Sequence, residues 1–291
     1  MTEEDRVPVI EVRNLRHVYD NGTEALAGIN IKIYRGDFIG VIGQNGSGKS
    51  TFIKHLNGLL RPTAGTVLLN GTDIKKESVV KISRTVGFVF QNPDHQIFCP
   101  NVEEELLFGP RNMGLNEKEA QDRKDEAMER FGLTQFAKYP PAILGFGIRR
   151  KVSIAGIYSM KPDIMILDEP TVGLDWKTTL DLMQIITELN AAGHTILLVT
   201  HDMRVISEYT DRSIVLRHGS LILDGKTRDV MKNFSVLQET RITPPDIMKL
   251  SDELMQRGFI KTHTLTNSEF INEYEKEYQK ELYVEGVSHG F

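Results

Sequence analysis

The sequence predicts an α/β fold: a largely parallel core sheet, a second antiparallel β layer and a helical insertion. Three features of the chain predict it. Asp163-Ile164-Met165-Ile166-Leu167 and Thr195-Ile196-Leu197-Leu198-Val199 are continuous apolar runs, the mark of strands covered on both faces of a parallel sheet. Residues 176–192 between them have the length and spacing of a crossover helix. A glycine-rich loop at 43–48 follows a buried strand, 37–42, and precedes a helix with Phe52, Ile53 and Leu56 on one face.

The remaining elements follow in order. Val9-Ile10-Glu11-Val12 and Ile29 to Tyr34 alternate in β fashion, with Asn21-Gly22 as a turn signal between them. Gly65 to Leu69 is another strand, closed by Asn70-Gly71, and Thr85 to Phe90 a further apolar one. Residues 102–138 are charged and helically spaced, with Asn116 and Glu119 placed as an N-cap and its N3 partner. Arg212 to Asp224 reads as a terminal hairpin. Beyond about residue 235, Pro244-Pro245 opens a helix with Ile247, Leu250 and Leu254 on one face. Asn267 opens another, with Ile271, Tyr274, Tyr278 and Leu282 on one face.

Composition narrows the function. The chain has 291 residues, with 35 Lys and Arg against 40 Asp and Glu, a formal net charge of −5. That balance argues against a general nucleic-acid binder. No apolar run approaches the ~18 residues of a membrane span. The start, Met1-Thr2-Glu3-Glu4-Asp5, lacks the plan of a secretory signal. The single cysteine, Cys99, excludes an internal disulfide and suits a reducing compartment. A cytosolic protein is expected, with any membrane association made through a partner.

The chemistry begins at Gly43-Gln44-Asn45-Gly46-Ser47-Gly48-Lys49-Ser50-Thr51, which fits the phosphate-binding pattern G-x-x-x-x-G-K-[ST]. The glycines let the backbone turn tightly, so that N–H groups converge on an anion. Lys49 can reach the outer phosphates, Ser50 can join a Mg²⁺ ion, and the following helix adds its N-terminal dipole. A nucleoside triphosphate is the expected ligand. Asp168 and Glu169 end an apolar strand, where α/β sheets place ligands. Asp168 is placed to hold Mg²⁺, and Glu169 to orient or deprotonate water. His201 closes the next strand beside Glu169 and can fix the γ-phosphate and the water. Gln91, at another strand end, can offer its amide oxygen to the metal. Tyr19, 24 residues before Gly43, can stack on a base.

Together these segments resemble the nucleotide-binding subunit of ATP-binding cassette (ABC) proteins over residues 8–235: Tyr19 as A-loop, 43–51 as Walker A, Gln91 as Q-loop, 144–150 as signature, 164–169 as Walker B, Gly173-Leu174-Asp175 as D-loop and His201 as switch histidine. The resemblance implies a P-loop NTPase fold of ABC-cassette type. It would have an antiparallel β subdomain, a mixed or parallel core sheet, a helical subdomain at about 95–160 and a short C-terminal helical extension at 236–291. It implies ATP and Mg²⁺ as cofactors and catalysis by Glu169, His201 and Gln91. Ser50, Gln91 and Asp168 would hold the metal. Tyr19, residues 43–51 and Asp175 would bind ATP, and Gly145, Phe146 and Gly147 would reach it across a dimer interface.

A narrower similarity joins Gln91 to Phe98, Val102 to Glu105 and Phe108-Gly109-Pro110 to the ATPases of energy-coupling-factor importers, which take up transition metals or vitamins. It implies a second ATPase subunit, a transmembrane coupling subunit meeting residues 91–110, a membrane substrate-binding subunit and a place on the cytoplasmic face of the membrane. Asp94 and Glu103 to Glu105 are candidates to meet basic groups of the coupling subunit. The C-terminal helices would help the ATPases dimerise. The alternative is the ATPase of a conventional importer or exporter. A soluble, non-transport cassette ATPase is a further one.

The signature departs from the family's Leu-Ser-Gly-Gly-Gln. Here it reads Leu144-Gly145-Phe146-Gly147-Ile148. Gly145 lacks the hydroxyl that would bond the partner's γ-phosphate, worth on the order of 1–3 kcal/mol. Phe146 places a ring where backbone should approach phosphate, and Ile148 replaces a polar amide. A heterodimer is expected, with the competent site built on this chain's P-loop and a partner's intact signature.

Overall fold

The computed structural model describes residues 6–285, with side chains described to residue 276. The strands β1 (Pro8–Val18) and β2 (Glu24–Tyr34) form an antiparallel pair. β3 (Phe38–Ile42) leads through the glycine loop into α1 (Lys49–Leu56), and β4 (Ala64–Leu69) and β5 (Thr72–Asp73) follow. The β4–β5 turn is Asn70-Gly71, both at positive φ, 48° and 79°, as a tight hairpin of right-handed twist requires. All of these strands but β3 make a four-stranded sheet in the order β2-β1-β4-β5.

Next come α2 (Val79–Ser83), β6 (Val86–Val89), α3 (Val102–Asn112), α4 (Glu117–Arg130) and α5 (Phe146–Tyr158). Asn101 and Asn116 cap α3 and α4, their Oδ1 atoms accepting from Glu104 N and Glu119 N at 2.9 Å. The α/β alternation resumes with β7 (Ile164–Asp168), α6 (Trp176–Ala191), β8 (Thr195–Val199) and α7 (Met203–Tyr209). The hairpin β9 (Arg212–Arg217) and β10 (Ser220–Lys226) completes the core sheet. Its order is β10-β9-β3-β8-β7-β6, with only the β10–β9 pair antiparallel. The chain continues through α8 (Thr227–Met231), α9 (Phe234–Glu239), α10 (Asp246–Gln256) and α11 (Asn267–Glu285).

Two apolar cores result. One lies between the two sheets and encloses α1, whose Phe52, Ile53 and Leu56 are fully buried among Leu15, Leu26, Val41 and Val199. The other joins the opposite face of the core sheet to α4, α5 and α6. Clamping α1 between two β layers fixes the loop before it, which is what a phosphate site needs.

The apolar face of α10 is not the one packed inward. Met248 and Ser251 point inward, while Leu250 is exposed and Ile247 and Leu254 are half-buried. Ser251 Oγ accepts from the buried Thr264 N at 2.9 Å, which pins that side of the helix to the chain after it. Ile271 and Tyr274 of α11 are also exposed. The side chains of Tyr278 and Leu282 lie outside the described residues.

Candidate functional site

Parallel register gathers the functional strand ends. Val41 pairs with Val199, Asp168 with Val199 and Val89 with Leu167. Chain segments leaving β3, β8, β7 and β6 therefore emerge side by side. They carry Gly43, His201, Asp168–Glu169 and Gln91 in turn. A cleft of about 600 Å³ opens there, lined by Lys49, Ser50, Gln91, Asp168, Glu169 and His201 among others.

The loop is shaped by two glycines in particular. A Cβ on Gly43 would lie 2.5 Å from Leu216 O and from Ser47 Oγ, and one on Gly48, at φ 102°, would lie 2.7 Å from Ala25 O. Lys49 Nζ donates to Gly43 O at 2.6 Å and Gln44 O at 3.1 Å. Burial lowers its pKa, against the opposing pull of Glu169 and Asp168.

The carboxylates are differentiated. Burial, and then the neighbouring Glu169, push Asp168 up to about 6. A partly buried carboxylate beside a second one fits a site completed by a cation. Glu169 sits at φ 48°, an uncommon conformation for a residue with a side chain and one that marks functional sites. Its N–H donates to Val199 O at 2.8 Å, which anchors the backbone. Glu169 Oε1 lies 3.0 Å from His201 Nδ1, and Oε2 is buried without a hydrogen-bond partner among the described residues. The pair predicted from adjacent strands is thus in contact, with one acceptor oxygen left unpartnered.

Tyr19 does not line this cleft but sits against the first turn of α1. Its hydroxyl is 3.0 Å from Thr51 Oγ1, and its ring stands edge-on to His17 with centroids 4.6 Å apart. The ring is 39 % exposed, which leaves a face for a stacking partner. Asp175 also stands apart. Its carboxylate caps α6, accepting from Thr178 N and Thr178 Oγ1 at 2.9 Å, and those bonds lower its pKa.

Gly145, Phe146 and Gly147 begin α5, away from the cleft. Gly145 is the N-cap and offers no side-chain bond. The Phe146 ring folds back on its own chain. A Cβ on Gly173 would be 3.0 Å from Phe146 Cε1, and the Arg149 and Arg150 guanidinium groups lie 5.8 and 5.6 Å from the ring centre.

Two contributions escape the sequence reading. Arg150 is fully buried, and burial pulls its pKa down to about 10. It donates to Phe90 O at 2.8 Å and to Gln91 O, so the signature helix holds the backbone that carries Gln91. Its position in a basic run beside the signature was the available signal. The second is Arg241-Ile242-Thr243, which lines the cleft from the C-terminal extension and has no local sequence mark.

The carboxylates expected to face a partner are engaged within the chain. Asp94 pairs with Arg149 at 3.0 Å, Glu104 with Arg111 at 2.7 Å and Glu103 with Lys138. Glu105 accepts from Phe98 N and Cys99 N at 3.1 and 2.8 Å. What that surface offers is an apolar groove of about 520 Å³, with Phe98 and Phe108 exposed and edge-on at 4.6 Å.

Comparison with known proteins adds the following. The ABC transporter family profile matches residues 26–172. An energy-coupling factor transporter ATP-binding protein of Methanothermobacter thermautotrophicus is 41 % identical over 267 residues, covering 91 % of this chain and 86 % of the relative. A putative ABC transporter ATP-binding protein of Caldanaerobacter subterraneus is 44 % identical over 246 residues, 84 % of this chain but only 43 % of that longer protein. Among solved structures, CbiO1 of Clostridium perfringens, part of the ABC transporter complex CbiONQ, superposes with a TM-score of 0.74 at 35 % identity, covering 84 % of this chain and 99 % of the other.

Proposed function

This chain belongs to the ABC transporter family as an ATPase of the energy-coupling-factor type, and we propose that it energises an importer as one half of an asymmetric dimer. The observation that carries the proposal is the contrast between its two half-sites. The cleft brings Lys49, Ser50, Asp168, Glu169 and His201 together. The end of α5, which a relative would present to the opposite nucleotide, carries no hydroxyl.

In this reading ATP lies along the loop, with Lys49 and the backbone amides at its phosphates and Tyr19 stacked on its base. Ser50, Gln91 and Asp168 supply hard oxygen donors, which fit Mg²⁺. Bound there with the nucleotide, the ion supplies charge neutralisation on the phosphates. Glu169 orients the attacking water and accepts its proton. His201, held by Glu169, supports the γ-phosphate. Asp175 acts indirectly, by fixing the start of α6.

Two further surfaces support the assembly. The groove at Phe98 and Phe108 suits an apolar coupling element of a membrane subunit. The exposed Leu250, Ile271 and Tyr274 suit contact between ATPase subunits. No helix among the described residues is long and apolar enough to cross a membrane. The similarity to energy-coupling-factor ATPases supports reading a peripheral place at the membrane, with a separate substrate-binding subunit for a transition metal or a vitamin.

The test is phosphate release by the purified chain, alone and with an ATPase partner bearing an intact Leu-Ser-Gly-Gly-Gln. Turnover is expected to be poor alone and to recover with the partner. Glu169→Gln is expected to remove about 10²–10⁴-fold of the recovered rate while ATP stays bound. Brisk turnover by the chain alone would contradict the asymmetry.

A further inference from the structure

The C-terminal extension reaches the nucleotide cleft through one short, rigid segment. α9 ends at Glu239 and is capped by Thr240, a buried residue whose Oγ1 donates to Leu237 O at 2.7 Å. Arg241 then turns into the left-handed region, φ 54°. Arg241 N donates to Gln238 O and Ile242 N to Leu237 O, both at 3.0 Å, which closes the helix end. Ile242 is buried in the core that also holds Met203 of α7. Pro244 and Pro245 are buried too, and each ring fixes its own φ. Glycine or asparagine is the usual residue at such a cap, so arginine here carries a conformational cost.

The result of that strain is placement. Arg241 is exposed at the wall of the cleft that holds Lys49, Glu169 and His201. Its guanidinium has no acidic partner among the described residues, whereas Arg217 is tied to Glu239 at 2.7 Å. The cleft otherwise sets Lys49 against the carboxylates Asp168 and Glu169. A triphosphate brings one more anionic group than a diphosphate. A guanidinium is well suited to it, because its planar donors match phosphate oxygens in pairs.

We propose that Arg241 recognises the γ-phosphate, so that the C-terminal extension distinguishes ATP from ADP. The inference rests on reading the cleft as the nucleotide site and extends it to a part of the chain outside the cassette motifs. Arg241 lies five residues before α10 and is joined to it through Pro244-Pro245.

The experiment measures ATP and ADP affinities by displacement of a fluorescent nucleotide from the full chain. Arg241→Gln is expected to weaken ATP by about tenfold and leave ADP within about twofold, the scale of one charge-assisted contact. Arg241→Lys is expected to restore part of the difference. Retained ADP binding in the same variant reports an intact fold. An unchanged ratio of ATP to ADP affinity, whether both are kept or both are lost, overturns the proposal. Lys49→Ala separates the two levels: undiminished ATP binding in that variant would instead overturn the nucleotide reading of the cleft.

Discussion

Replacing Gly145 by serine tests the asymmetry at a single atom. Gly145 has φ −58° and ψ 153°, an extended conformation open to any residue. A Cβ there meets no heavy atom within 4 Å. At an N-cap, serine is as good as glycine or better by a few tenths of a kcal/mol. The substitution therefore adds a hydroxyl to the exposed end of α5 and changes little else. If that end faces the γ-phosphate of a second subunit, the added bond to a charged group is worth about 1–3 kcal/mol. At about 1.4 kcal/mol per tenfold, that corresponds to a rate gain of about 5- to 150-fold. The assay is phosphate release by the purified Gly145→Ser chain alone, across a range of protein concentrations. The gain should appear at concentrations that favour the dimer and fade on dilution. Unchanged turnover with an unchanged thermal unfolding midpoint would refute the assignment of the missing hydroxyl. Phe146→Gly is a poorer repair, since it strips the ring from Gly173 and from the buried Arg150.

Two other predictions probe parts remote from the hydrolytic groups. Phe98→Asp should reduce co-purification with the membrane coupling subunit by about tenfold or more, since burying one phenyl ring contributes about 1.5–3 kcal/mol, while ATPase activity with a soluble partner stays within about twofold. His55 is fully buried on α1, its Nδ1 donating to Thr51 O at 2.7 Å and its Nε2 3.2 Å from His17 Nδ1. Burial, against the Thr51 bond, lowers its pKa below 6.5. The folded state then refuses a proton that the unfolded chain takes up. Its contribution is complete above about pH 6.5 and is lost as pH falls toward the folded pKa, with a slope of up to about 1.4 kcal/mol per pH unit. Chemical denaturation from pH 7.5 to 5 should show this slope in the wild type and a shallower one in His55→Gln. Parallel profiles would refute it.

The parts legible in the sequence are those fixed by local rules. Strand-loop-helix order, the turn at Asn70-Gly71 and the cap at Asn116 each depend on a few adjacent residues, and the structure shows each of them. The contact between His201 and Glu169 was legible for a different reason. Parallel pairing in register places equivalent strand ends together, so two motifs 32 residues apart become neighbours without knowledge of the side chains. The face of α10 was not legible, because apolar spacing alone does not say which stripe a later segment will cover. Ser251 is turned inward by its bond to Thr264 N, and the apolar stripe is left outside. Arg241 was hidden for the same reason, since its place in the cleft depends on how α9 packs.

The signature region shows how structure can narrow a departure that the sequence overstates. From composition, Phe146 looks like bulk thrust at a phosphate. In the folded chain its ring rests against Gly173, with the Arg149 and Arg150 guanidinium groups near it, and adds packing within its own subunit. Arg150 in turn donates to the carbonyls of Phe90 and Gln91. The ring therefore helps couple the start of α5 to the Gln91 segment, beside the surface where a membrane subunit would sit. On the proposed asymmetric dimer, what the opposite site would lack is then chiefly the hydroxyl at Gly145. A subunit of this design would donate little to its partner's ATP yet keep a stiff link from α5 to Gln91. That combination favours a dimer in which one site turns over while both halves still transmit its motion.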